Sequence, residues 1–226
     1  GIPAEPLFRS TFVWWDVARI IKDKKKRHFR FLTLHSKIAI SVTACLIVSG
    51  MIAFLLFEYN NPLTIQGYSF AEKIEASFFQ SVTTRTAGFA TIPQENLTES
   101  SAIVSLILMF IGGSPVGTAG GIKTVTFLVM IVTAISVIRN RRTANVFGRQ
   151  ISDEAIRKAV GVFVMSFCVV AVSTILLSYV TNADFLDVIY ETVSATATVG
   201  LTRNLTPSLN ASGKLIITIA MFLGRV

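Results

Sequence analysis

Two stretches of this chain stay apolar and uncharged long enough to cross a membrane: residues 38–57, IAISVTACLIVSGMIAFLLF, and residues 159–180, AVGVFVMSFCVVAVSTILLSYV. A hydrocarbon layer of about 30 Å needs roughly 20 apolar helical residues, so both predict spans. A third region, residues 101–138, carries one charge, Lys123, and is too long for a single straight crossing. It divides into 101–111 and 125–138, each too short to cross alone, on either side of GGSPVGTAGGIKT, which holds five glycines and one proline. This pattern predicts one crossing, broken in the middle. Two shorter, moderately apolar pieces, 71–83 and 184–197, are each followed by glycine-containing turns. They predict either re-entrant helices or helices lying flat at the interface, and length alone leaves both open.

Charge orients these elements. The 226 residues hold 21 Lys and Arg against 13 Asp and Glu, a net +8. Nine of the basic residues fall in 1–37 and six in 139–158, flanking the uncharged runs. Lys and Arg collect on the cytoplasmic side, which places both basic segments there and makes the chain between residues 57 and 138 return across the bilayer an odd number of times. The two segments then left outside, 58–100 and 181–214, hold four basic residues against eight acidic ones, in keeping with that orientation. A basic stripe for nucleic acid is excluded by the same distribution. With 52% hydrophobic and 15% charged residues, the composition is that of an integral membrane protein rather than a soluble domain. Cys45 and Cys168 each sit inside an apolar run, His28 and His35 lack a second pair of ligands, and no nucleophile with a base or pair of carboxylates suggests an enzyme. The run GTAGGIKT has Ile122 where a phosphate-binding loop needs glycine before Lys-Thr, and no strand precedes it.

The chain also repeats itself. Phe78-Phe79-Gln80-Ser81-Val82-Thr83 reads against Ile189-Tyr190-Glu191-Thr192-Val193-Ser194, and Thr86-Ala87-Gly88-Phe89 against Thr198-Val199-Gly200-Leu201, with one extra residue between the blocks in the second copy. Met109-Phe110-Ile111-Gly112 then matches Met221-Phe222-Leu223-Gly224. Each copy is span, short helix, Thr-x-Gly-apolar turn, span, and both begin on the same side, so the repeats are parallel. A short helix entering the membrane presents the negative end of its dipole, and extended backbone beyond it can aim carbonyl oxygens at a dehydrated cation. One Thr-x-Gly is an ordinary turn; two in equivalent places predict an ion pathway. The glycine-rich break supports that pathway, because unwound backbone at membrane depth needs protein or water to satisfy it, although a hinge or a tight packing site would use glycines too.

These residues resemble the third and fourth repeats of the Trk/Ktr/HKT potassium transporters, most of all the Ktr-type (KtrB-like) membrane subunit. The likeness is carried by 79–89 (FQSVTTRTAGF), 112–124 (GGSPVGTAGGIKT), 194–201 (SATATVGL) and 221–226 (MFLGRV), and it runs through essentially the whole chain. It implies an all-α integral membrane fold of tandem parallel span/pore-helix/span repeats, two of an expected four. Residues 1–37 would end a preceding repeat and form a basic cytoplasmic linker, 38–140 the third repeat with its broken second helix, 141–158 a cytoplasmic linker, and 159–226 a fourth repeat cut short in its last helix. It also implies a K⁺ selectivity filter at Thr86, Ala87, Gly88, Thr198, Val199 and Gly200. A gate loop would contain Gly112, Gly113, Gly117, Gly120, Gly121 and Lys123, with Arg225 beside it. Lys123 then either faces the pathway or snorkels to the headgroups. Arg85 is expected to be a structural anchor, to a Glu or to backbone near the outer mouth. The implied protein takes up K⁺ at the plasma membrane with Na⁺ as an activating or coupling ion, without a covalently bound cofactor. Its implied partners are membrane lipid, a second copy of the full-length subunit, and a cytoplasmic nucleotide-binding (RCK/KtrA-like) regulatory ring, not nucleic acid. A Na⁺-conducting relative and a non-conducting scaffold share the same architecture.

Overall fold

The computed structural model describes residues 34–113, 120–140, 145–146 and 149–225, so the expectations for residues 1–33 and for Gly117 lie outside the described residues. Among the described residues seven α-helices follow one another: α1 (Leu34–Glu58), α2 (Phe70–Thr83), α3 (Glu99–Phe110), α4 (Thr124–Ile138), α5 (Asp153–Val180), α6 (Phe185–Thr196) and α7 (Ala211–Leu223). A minimal antiparallel ribbon, β1 (Asn145–Val146) with β2 (Arg149–Gln150), lies in the linker before α5. This is the all-helical, tandem-repeat membrane fold expected from the apolar pattern.

The helix ends explain themselves locally. Ser69 and Glu72 form a capping box on α2: the Glu72 N–H donates to Ser69 Oγ, and the Ser69 N–H donates to Glu72 Oε2 at 2.7 Å. Thr98, Ser152 and Asn210 cap α3, α5 and α7 in the same manner, each accepting a backbone N–H three residues on. The α5 helix begins at Asp153, ahead of the apolar run at 159. Its first turn carries Asp153 and Glu154, which suit the positive end of a helix. The α1 helix likewise starts ahead of residue 38, at Leu34.

Polarity is inverted relative to a water-soluble bundle. The apolar windows of α1 and α5 are only 11% and 22% buried. Val48, Ile52, Leu56, Met165, Phe167 and Ile175 lie on the surface. In water so large an apolar surface would aggregate; in lipid it faces its solvent. The buried face of α2 is instead Lys73, Ser77, Gln80, Ser81 and Thr83.

The two short helices sit inside, against the long ones. Gly50 lets α1 close on α2, where Ser81 Oγ donates to the Ile47 carbonyl at 2.8 Å. In the downstream repeat the aligned residue, Thr192, shares a 2.8 Å hydrogen bond with Thr174 of α5. The same joint between short helix and outer helix is thus made twice. Between the repeats, Ala102 and Met109 of α3 join Val170 of α5, Tyr190 and Val193 of α6, and Ala197, Val199 and Leu201 in one apolar cluster.

Candidate ion-filter and loop site

The chain after each short helix adopts a conformation that its residue types resist. Thr86 and Gly88 have φ of +69° and +76°, and Thr198 and Gly200 have +53° and +90°. A β-branched residue at positive φ is uncommon and strained, and here the strain recurs at equivalent places in both repeats. Only Asn140 and Asn204, of a type that tolerates this region, share it among the other described non-glycine residues. Ala87 and Val199, between the positive-φ residues, keep ordinary negative φ. Such alternation of positive and negative φ departs from both regular helix and regular strand.

Local hydrogen bonds hold each turn. In the upstream repeat the Ala87 and Gly88 N–H groups both donate to the Thr83 carbonyl. Thr83 Oγ1 accepts from the Phe89 N–H at 2.8 Å and donates to the Phe89 carbonyl at 2.6 Å. In the downstream repeat the Thr198 and Val199 N–H groups donate to Ala195 and Ser194. The two turns then meet: a β-carbon on Gly88 would collide with the Val199 carbonyl oxygen, and Gly200 has the Gly88 Cα as its nearest neighbour. Six residues chosen from the sequence, Thr86, Ala87, Gly88, Thr198, Val199 and Gly200, are therefore brought together by two separate helices.

The glycine-rich break lies against these turns. Its base is pinched, the Ile122 N–H donating to the Phe110 carbonyl at 3.1 Å. A side chain at Gly112 would run into the Gly120 carbonyl, so the two arms of the loop cross in contact. The Gly120 N–H donates to Thr198 Oγ1 at 3.1 Å, and Gly121 packs beside Ala197. Gly113 follows Gly112 directly on the first arm. Lys123 is exposed and occupies the N-cap of α4, where a cation meets the positive end of the helix dipole.

Arg85 takes the backbone option of its expected anchor, and at the loop: its guanidinium is buried and donates to the Thr43 carbonyl at 3.2 Å and the Gly112 carbonyl at 3.3 Å. Arg225 is exposed and lines a cavity of about 580 Å³ with Glu191, Thr198, Gly200 and Thr206.

Sequence reasoning missed a polar belt behind the turns. Gln80 and Gln94 exchange amide hydrogen bonds at 2.7 and 3.2 Å, fully buried. Tyr190 donates from α6 to Gln94 Oε1 at 3.0 Å. Arg203 pairs with Asp187 at 2.6 Å and donates to the Gln94 and Glu95 carbonyls, bracing the two repeats together. The available signal was polarity inside otherwise apolar helix faces, as at Gln80.

Comparison with known proteins identifies the family and the fold. The sequence pattern describing TrkH cation transport proteins matches residues 7–226. The Ktr system potassium uptake protein B of Bacillus subtilis is 39% identical over 202 residues, covering 89% of this chain and 45% of that protein. The potassium/sodium uptake protein NtpJ of Enterococcus hirae is 38% identical over 218 residues, covering 95% and 47%. This chain thus spans about half the length of these curated relatives. The crystal structure of the potassium transporter TrkH from Vibrio parahaemolyticus superposes with a TM-score of 0.72 at 18% identity, over 96% of this chain and 46% of that one, which is a likeness of fold.

Proposed function

Since this chain belongs to the TrkH family of cation transport proteins, we propose that it forms half of a K⁺ uptake pathway whose filter is built from backbone carbonyls. The observation that carries this reading is the duplicated backbone strain: two Thr-x-Gly turns, each with positive φ at its first and third residue, abutting at Gly88. Strain repeated at one place is a device, because neither turn needs it to reverse the chain. Carbonyls of such turns replace the hydration shell of an ion the size of K⁺, while the flanking threonine hydroxyls add oxygen. The complete pathway uses four such turns, two of them supplied by the other half of a full-length subunit.

The loop from Gly112 to Lys123 acts as the gate. It lies against the filter turn at Thr198, and glycines there let backbone approach backbone without side chains. Lys123 and Arg225 bring positive charge near the pathway, where it raises the barrier to a cation. Both basic segments lie in the cytoplasm of a plasma-membrane protein, and ions move inward. The working unit is a homodimer of the full-length subunit under a cytoplasmic nucleotide-binding ring that drives the gate. Na⁺ acts as an activating or coupling ion. It becomes a conducted ion in a second reading, which the potassium/sodium relative favours.

The test is K⁺ and Na⁺ uptake by the full-length protein in cells stripped of their own K⁺ uptake systems, with Gly88→Ser alongside. Growth rescue at low K⁺ that Gly88→Ser weakens or renders Na⁺-sensitive places Gly88 in a K⁺ filter. No uptake by a well-expressed protein overturns the assignment.

A further inference from the structure

The two Thr-x-Gly turns touch without bonding to one another. Among the described residues no hydrogen bond joins 86–88 to 198–200, and Gly88 simply abuts the Val199 carbonyl. Their separation is therefore set from outside the turns. Three residues beyond Gly200 stands Arg203, whose guanidinium reaches in two directions. Its Nε donates to Asp187 Oδ1 at 2.6 Å, in the first turn of α6, the helix that leads into its own turn. Its Nη1 donates to the Gln94 carbonyl at 2.9 Å and its Nη2 to the Glu95 carbonyl at 3.4 Å, both in the 3₁₀ turn Gln94–Asn96 of the upstream repeat. The side chain is 11% exposed, and its head lies 5.9 Å from the centre of the Tyr190 ring.

The upstream repeat carries no cation in the equivalent place. Three residues beyond Gly88 is Thr91, which is exposed. The brace is thus made once, from the downstream repeat to the upstream one. An anchor needed only for stability could be apolar, since a well-packed hydrophobic side chain often holds as well as an ion pair. What arginine adds is a planar fork that fixes several acceptors in one geometry, which an ammonium does not. Here the acceptors lie at the start of one repeat's short helix and just past the other repeat's turn. A filter ranks cations by the size of its cavity or by the number and field of its carbonyls, and both change when the turns that supply them move apart.

We propose that Arg203 is a positioning residue that fixes the spacing between the two Thr-x-Gly turns and thereby the preference for K⁺ over Na⁺. This rests on the reading of those turns as a K⁺ filter and adds a residue that sets their selectivity from outside them. Loosening the fork leaves every filter residue in place and lets the two turns shift against each other.

The experiment is K⁺ and Na⁺ uptake into liposomes containing the full-length protein, for wild type, Arg203→Lys, Arg203→Met, Asp187→Asn and Gly88→Ser, with thermal unfolding of each in detergent. The ratio of K⁺ to Na⁺ uptake is expected to fall about tenfold in Arg203→Met, of the order that one charge-assisted hydrogen bond is worth. Arg203→Lys, which keeps the ion pair and loses the fork, and Asp187→Asn, which keeps the carbonyl bonds and loses the ion pair, fall between. Phe54→Ala, a cavity at a fully buried side chain of α1, lowers the unfolding midpoint and leaves the ratio alone, so a merely structural loss is told apart. If Arg203→Met is not recovered folded, Arg203→Lys decides by the same ratio. An unchanged ratio in the folded Arg203 variants overturns the brace. So does a change of both uptakes by one factor, because that is the charge of the outer mouth acting on any cation alike. If Gly88→Ser lowers the ratio and the Arg203 variants do not, the brace fails and the filter stands; if neither lowers it, both fail. A ratio that moves with Arg203 and not with Gly88 also overturns the brace, since the effect then bypasses the turns.

Discussion

The upstream repeat fastens its short helix to the 3₁₀ turn beyond its Thr-x-Gly segment with two neutral amides, and the downstream repeat does so with a carboxylate. Gln80 of α2 meets Gln94, the first residue of the 3₁₀ turn Gln94–Asn96. Glu191 of α6, aligned with Gln80, accepts from Thr206, the first residue of the matching 3₁₀ turn Thr206–Ser208, and from Thr202 at 2.8 Å. The surroundings account for the difference. Gln80 and Gln94 are sealed between the repeats, where Tyr190 closes the remaining acceptor, and an unpaired charge there would be expensive. Glu191 borders the cavity of about 580 Å³, which leaves room for water beside its carboxylate. The same clasp in the two repeats therefore carries two chemistries, set by whether its far side is closed by protein.

Four measurements break or sharpen that comparison. The largest effect is expected at Gly88 and Gly200, the glycines of the two Thr-x-Gly turns, where the repeats also differ. A methyl at Gly88 meets the Val199 carbonyl, whereas at Gly200 the nearest atom lies 4.0 Å away. Gly88→Ala should lower K⁺ uptake about tenfold or more, and Gly200→Ala less, since only positive-φ strain of about 1 kcal/mol acts there. Equal losses in radiotracer uptake would mean that the turns do not abut as described.

Next come the clasps, followed by thermal unfolding of purified protein in detergent. Gln80→Glu puts a charge into the sealed interface and should destabilise by about 3 kcal/mol, while Glu191→Gln stays within about 1 kcal/mol. The reverse ranking would refute the account given for their chemistry. Tyr190→Phe, which removes one donor from Gln94, should cost about 1 kcal/mol and vanish as an effect in a Gln94→Leu background. Smallest of all is Glu154→Ala. Its 2.6 Å pair with Lys158 is exposed on both sides, and its loss should leave the unfolding midpoint at the wild-type value.

Much of the helix plan was legible before any coordinates. Apolar runs at 38–57 and 159–180 became α1 and α5, 101–111 and 125–138 became α3 and α4, and 71–83 and 184–197 became α2 and α6, with ends displaced by a few residues. Those displacements come from caps: Ser152 starts α5 with a charged turn that no hydropathy pattern marks as helix. The Thr-x-Gly turns were legible as motifs, but the positive φ of their threonines was not. Threonine alone disfavours that conformation, and the surrounding hydrogen bonds impose it. The partners of Arg85 were legible only as a class. An acceptor 42 residues before it and another 27 after it leave no local trace.

By itself, the order of residues determined that this chain is helical, that it lies in a membrane and that it repeats, because bilayer thickness and the need to satisfy backbone polar groups act on contiguous segments. It could not decide which polar side chains meet. Gln80 with Gln94 and Tyr190, Arg203 with Asp187, Arg85 with Gly112, and Gly120 with Thr198 are joined only when the repeats pack side by side. Each of those contacts depends on distances and angles between whole helices, and burial then makes every unmatched donor or acceptor costly, so tertiary packing chose the partners.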